Sequence, residues 1–228
     1  EQLEKIRQSF LNLSTEIPVS ANELARIGEV AGQLGIKTEN IVDFTKTIAD
    51  LGATTNLSSE EGATSLAQFM AVMGTSQSSI RNLGSTLVEL GNNFATNERS
   101  IVEMSQRLSG MGKQTNMSEA DVLGLAAAMS TVGIEAEAGG SAMTQVMTKM
   151  QNAVMSGGEN LGKFAKSAGV SASEFANAFN NRPVEALGLV LKGLKNVKES
   201  GGNVNDVLAS LGVTGIREAD AMKRLSGA

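Results

Sequence analysis

Apolar residues recur along the chain at steps of three and four, the spacing that gathers side chains on one face of an α-helix. Leu3, Ile6, Phe10 and Leu13 form the first stripe and predict a helix over 1–13. Pro18, within the stretch 15–19, breaks it. Ser20-Ala21-Asn22-Glu23 follows as a capping box: the hydroxyl accepts one free backbone N–H and Glu23 reaches back to another. It opens a helix through Leu24, Ile27, Ala31 and Leu34, stopped by Gly35 in a left-handed conformation.

A helix then starts at Thr38 and ends at Gly52. Ser58 with Glu61 is a second box, leading Ala63, Leu66, Ala67, Met70 and Met73 to a stop at Gly74. A helix from about residue 76 carries Leu83, Leu87, Leu90 and Phe94, with Gly84 and Gly91 weakening it. Thr96 opens a helix to about Met111, and Ser118 with Asp121 opens another that ends at Gly133. A long helix is predicted from about Gly140 to Met155, with Met143, Val146, Met147, Met150 and Val154 on one side. Gly157-Gly158 reads as a flexible joint. Shorter helices follow: 161–168 before Gly169, 175–179 capped by Ser171 with Glu174, and 184–198 opened by Pro183. After a second joint at Gly201-Gly202 come 204–211 and 216–225. No segment sustains period-two alternation, so the fold class is all-α: a compact multi-helix body of short, Gly-capped helices, about 70% helical against the usual third.

One pattern returns. Ile41, Phe44, Ile48 and Leu51 reappear as Ile101, Met104, Leu108 and Met111, and Thr55-Asn56-Leu57-Ser58 reappears as Thr115-Asn116-Met117-Ser118. A fixed offset of about 60 residues reads as a duplicated helical unit. The organisation expected is leading helices in 1–36, unit one in 37–95, unit two in 96–156 and a short-helix region in 157–228. The opening Glu1-Gln2-Leu3, without Met and without a signal peptide, reads as one globular fragment of a longer chain.

Composition removes several chemistries. There is no Cys and no His, so disulfides, thiolate metal sites and the commonest general base are excluded. Aromatics are 3% of residues, with no Trp or Tyr, which leaves the core to aliphatic side chains and Met. A net charge of −5 argues against a dedicated nucleic-acid face. The longest uncharged run, 62–80, holds too many Ser, Thr and Gln to span a membrane. Glu60/Glu61 and Glu135/Glu137 are paired carboxylates, the residue type of acid–base glycoside hydrolysis. A first-turn place on a helix, where negative charge suits the dipole, explains Glu60 and Glu61 better. Gly110-Met111-Gly112-Lys113 lacks the spacing of a phosphate loop. No cofactor or metal is called for.

The ordered series Ser14-Thr15-Glu16-Ile17-Pro18-Val19-Ser20, Gly32-Gln33-Leu34-Gly35-Ile36, Phe44-Thr45-Lys46-Thr47, the run 123–140, Phe164-Ala165-Lys166-Ser167-Ala168-Gly169 and Leu211-Gly212-Val213-Thr214-Gly215-Ile216-Arg217 resembles the tail tape-measure proteins of tailed bacteriophages and prophages, of the minor-tail-protein type. The resemblance implies a non-enzymatic virion protein that fills the lumen of the tail tube, sets tail length and is expelled during genome ejection. It implies tail-tube and tail-tip proteins and tail assembly chaperones as partners, homo-oligomers in the full-length protein, a place in the virion tail and, during assembly, in the host cytoplasm. It implies no specific nucleic acid, and host membrane contact on ejection. Two other readings stay open: a membrane-active helical protein helping the genome into the cell, and a fragment of an envelope-degrading tail protein.

The helix around 139–155 is the candidate self-association or partner helix. Its Met143, Met147 and Met150 share one face, and Gln145, Thr148 and Asn152, with Ser141, share the opposite one. Lys149 is the only charge from Ala138 to Gly158. A solvent-facing helix of this length normally carries several charges, so the pattern predicts cover on both sides, from this chain alone or from a second copy.

Overall fold

Four serines start helices in the computed structural model, which describes residues 2–228. Ser20, Ser58, Ser118 and Ser171 each accept the backbone N–H three residues on, at 3.2, 3.3, 3.1 and 3.2 Å. At Ser58 and Ser171 the glutamate returns the bond and completes the box. Ser20 makes only the serine half. Left-handed glycines follow the first three of these helices at Gly35, Gly74 and Gly133, and Gly169 ends the helix before Ser171.

Between these signals lie α1 (Gln2–Glu16), α2 (Ala21–Gln33), α3 (Ile41–Thr54), α4 (Ser59–Met73), α5 (Ile80–Asn93), α6 (Glu98–Gln114) and α7 (Glu119–Thr131). Then come α8 (Ala136–Ser156), α9 (Gly158–Ala168), α10 (Ala172–Asn181), α11 (Pro183–Glu199), α12 (Val204–Ser210) and α13 (Ile216–Ser226). Helices make up 81% of the chain, and no strand occurs among the described residues. Short 3₁₀ turns, Thr38–Asn40 and Gln77–Ser79, lead into α3 and α5. Glu1, the first residue of the first predicted helix, lies outside the described residues.

Several ends differ from the sequence reading, each for a local reason. Gly52 does not end α3, which continues to Thr54 and closes where Thr55 turns extended. Asn97, not Thr96, caps α6, accepting the Ser100 N–H at 3.0 Å. The Thr96 hydroxyl is instead engaged with Ser130 at 2.5 Å. The long helix begins at Ala136, so Gly139 and Gly140 lie inside it. A Cβ on Gly139 would meet Ile134 and Met129, and one on Gly140 would meet Arg107 of α6, so close helix approach explains both glycines. Gly157 alone links α8 to α9, and both it and Gly158, the first residue of α9, have positive φ.

The sixty-residue offset reappears in element bounds: α3 and α6 end at Thr54 and Gln114, and α4 and α7 begin at Ser59 and Glu119. The shared tetrapeptides, however, adopt different backbones. Thr55 is extended at ψ −179°, whereas Thr115 turns at ψ 6°, and Asn116, unlike Asn56, sits in the left-handed region at φ 59°. A shorter offset is equally regular: α2 with α3 is matched by α4 with α5, down to the left-handed glycine and the 3₁₀ turn between them.

α6 is the axle of the body, with α4, α5, α7 and α8 packed round it. α1–α5 cluster at one end; α9–α12 gather beyond α8 at the other. α13 returns to lie on α8 and α7. One apolar cluster runs through the whole body, from Phe10 to Leu225.

Candidate functional site

α8 is covered by α6, α9 and α13. Met143, Met147 and Met150 are completely buried with Val146. They belong to the core of the chain itself. The opposite face behaves differently. Ser141, Gln145 and Asn152 are exposed, and Thr148 is half-buried. The Thr148 hydroxyl donates to the Thr144 carbonyl at 2.8 Å, and Thr144 to that of Gly140 at 2.8 Å, so these hydroxyls are satisfied within the helix. Gln145 and Asn152 reach solvent. The structure therefore excludes a helix buried wholly within one chain: this chain covers the methionine side and leaves the polar stripe open. Of the two kinds of cover expected for this face, the one from this chain alone is not what is seen, and a second copy is the other.

The one charge between Ala138 and Gly158 is used internally. The Lys149 ammonium pairs with the carboxylate of Glu218 on α13, whose side chain is 8% exposed. The Arg224 guanidinium donates to the Gly133 carbonyl at 3.1 Å. These two ties run α13 antiparallel to α8.

Both acidic pairs lie at helix starts. Glu61 accepts from both the Ser58 backbone N–H and hydroxyl and pairs with Arg99 at 2.7 Å. The Ser58 hydroxyl, helped by its backbone N–H and by Arg99, holds the Glu61 carboxyl below its ordinary range. That is opposite to what a general acid needs. Glu135 occupies the N-cap of α8 without a side-chain capping bond, and Glu137 lies in the first turn. Among the described residues no cluster of acidic side chains could hold a metal ion, and no helix is long and apolar enough to cross a membrane.

A polar junction escaped the sequence reading. The Asn56 amide donates to Asn97 at 2.9 Å and its oxygen accepts the Arg99 N–H at 3.2 Å. With Arg99 on Glu61, this ties the start of α4 to the start of α6. Asn97 just ahead of an acidic first turn was the available signal.

The family profile of phage-related minor tail proteins matches residues 7–225, almost the entire helical body. The chain belongs to the phage-related minor tail protein family. It is thus a structural protein of a phage tail, and an assembly with other tail components is its setting. No curated protein and no solved structure matches the chain.

Proposed function

We propose that this minor tail protein acts as the tail tape measure, lying in the tube lumen during assembly, helping to set tail length and leaving when the genome is ejected. The observation that carries this reading is a wholly helical body, packed from helices near one another in sequence, in a phage tail family. A helix rises about 1.5 Å per residue, so residue count converts directly to length. Drawn out as one helix, the 228 residues would reach roughly 340 Å. No cysteine cross-links the fold, so no covalent bond opposes drawing it out through a tube. The open stripe of Ser141, Gln145 and Asn152 on α8 then faces a neighbouring chain in the lumen. Tail-tube, tail-tip and chaperone partners, and the absence of enzymatic activity, belong to the same proposal.

Electron microscopy of tails from deletion mutants tests it. In-frame deletions elsewhere in a longer gene product should shorten tails in proportion. Deletion of 7–225 should instead stop assembly or infection. Unchanged tail length in the first class would sink the ruler reading, and proportionate shortening in both would show that this body has no special role.

A further inference from the structure

The charges of the molecule are segregated. Residues 1–156 hold 10 basic and 17 acidic side chains, a net −7; residues 157–228 hold 9 and 7, a net +2. The basic end carries a groove of about 900 Å³ between α9, α11 and α12. Lys163, Lys166 and Lys192 line it against a single acid, Asp206, over an apolar floor that includes Val170, Leu189 and Val197. Lys163 is paired with Glu159 at 2.7 Å. Among the described residues Lys166 and Lys192 have no ion-pair partner, and the buried Ser167 hydroxyl beside them has no hydrogen-bond partner.

The complementary surface lies at the other end. A cleft of about 270 Å³ between α2 and α4 brings together Glu23 and Glu60, with Arg26 the only base lining it. Neither glutamate has an ion-pair partner among the described residues. α2 and α4 pack chiefly on α1, α3 and α6, and α9, α11 and α12 chiefly on one another and on α8, α10 and α13, so the two surfaces are built from different sets of helices.

We infer that the α9–α11–α12 groove takes the acidic α2–α4 face of a second copy, joining copies head to tail. Two different patches on one body make a heterologous contact, which leaves a free patch at each end of a pair and so adds further copies until the series closes into a ring or extends along an axis. Lys166 and Lys192 meet Glu23 and Glu60, and the apolar floor is covered by the aliphatic stems of those side chains. The attraction is between exposed charges, so it weakens as salt shortens the screening length from roughly 30 Å at 0.01 M to about 8 Å at 0.15 M. This inference does not depend on the tape-measure reading.

Sedimentation of the whole chain at low and high ionic strength tests it. Mass should grow with concentration at low salt and return to monomer at high salt. Lys166→Glu with Lys192→Glu should be monomeric, as should Glu23→Lys with Glu60→Lys. An equimolar mixture of the two variants should associate again, because each retains the surface the other needs. Lys166→Gln with Lys192→Gln, whose melting should match the parent, guards against a folding defect. A parent chain that stays monomeric at low salt, variants that associate like the parent, or a mixture that stays monomeric would overturn the inference. Lysine-dependent binding to phosphatidylglycerol vesicles without self-association would also overturn it and assign the groove to an anionic lipid surface.

Discussion

α6–α8 and α9–α11 are both closed round fully buried side chains, but they are closed with different shapes. No phenylalanine occurs between Phe94 and Phe164, so α6–α8 meet through Met104, Met129, Met143, Met147 and Met150 with Val and Leu between them. In α9–α11, Phe164 stacks on Phe175 with centroids 5.9 Å apart and planes 17° apart, and Phe179 is buried nearby. Methionine has several rotamers of similar energy and refits around a changed neighbour; a stacked pair of rings does not. Equal burial therefore goes with unequal specification. The middle of the body is adaptable, and the basic end is held in one arrangement.

Truncation gives the sharpest contrast. Phe175→Ala should cost about 3–5 kcal/mol, whereas the volume-conserving Met147→Leu should cost less than about 1.5 kcal/mol. Urea denaturation of both variants measures the gap, and equal losses would end the distinction.

Glycine replacement asks the same question of the backbone. A Cβ on Gly193 in α11 would strike the backbone carbonyl of Ser167 in α9, whereas one on Gly124 in α7 meets open space. Gly193→Ala should destabilise by about 1–3 kcal/mol through overpacking. Gly124→Ala should stabilise by about 0.5–1 kcal/mol through helix propensity. Thermal melts should move in opposite directions.

Caps come next. Ser58→Ala, Ser118→Ala and Ser171→Ala should each cost about 0.5–2 kcal/mol. Ser58 and Ser171 should lead, because their glutamates complete the box. Those boxes also carry a pH signature. The Ser171 hydroxyl and backbone N–H hold Glu174 below its ordinary range, as Ser58 does Glu61. A depressed folded value means the contribution is present above the unfolded carboxyl value and is lost as pH falls through the folded one. Melting temperature followed into acid should drop less in Ser58→Ala than in the parent, and parallel curves would refute the coupling.

The smallest effect is expected on the open face of α8. Gln145→Glu with Asn152→Lys should shift stability of the isolated chain by no more than about 0.5 kcal/mol, since both side chains are exposed. A loss of several kcal/mol in a melt would show that the stripe is covered after all.

What was legible in the sequence is what is decided locally. The serine caps at Ser20, Ser58, Ser118 and Ser171 and the stops at Gly35, Gly74 and Gly133 depend on a few adjacent residues, and they fall where the residues place them. The methionine stripe of α8 likewise declared itself by spacing. What escaped depends on partners distant in sequence. Thr96 loses its capping role to a hydroxyl 34 residues away, and Gly139 and Gly140 continue a helix because neighbouring side chains crowd them. The α9–α11–α12 groove escaped for the same reason: Lys166 and Lys192 are ordinary solvated lysines until α9 and α11 cross.

The serial arrangement of helices also bears on how the chain is made. Nearly every helix packs on its immediate or next-but-one neighbour, and α13, reaching back to α8 and α7, is the exception. Such low contact order favours rapid folding, because little loop entropy is lost before contacts form. On a ribosome, α1–α8 can close as they emerge, while α8 waits with one flank bare for Met222 and Glu218. α13, made after every helix it packs on, is then the one that completes this body, and a chain interrupted before it advertises the gap as exposed apolar surface.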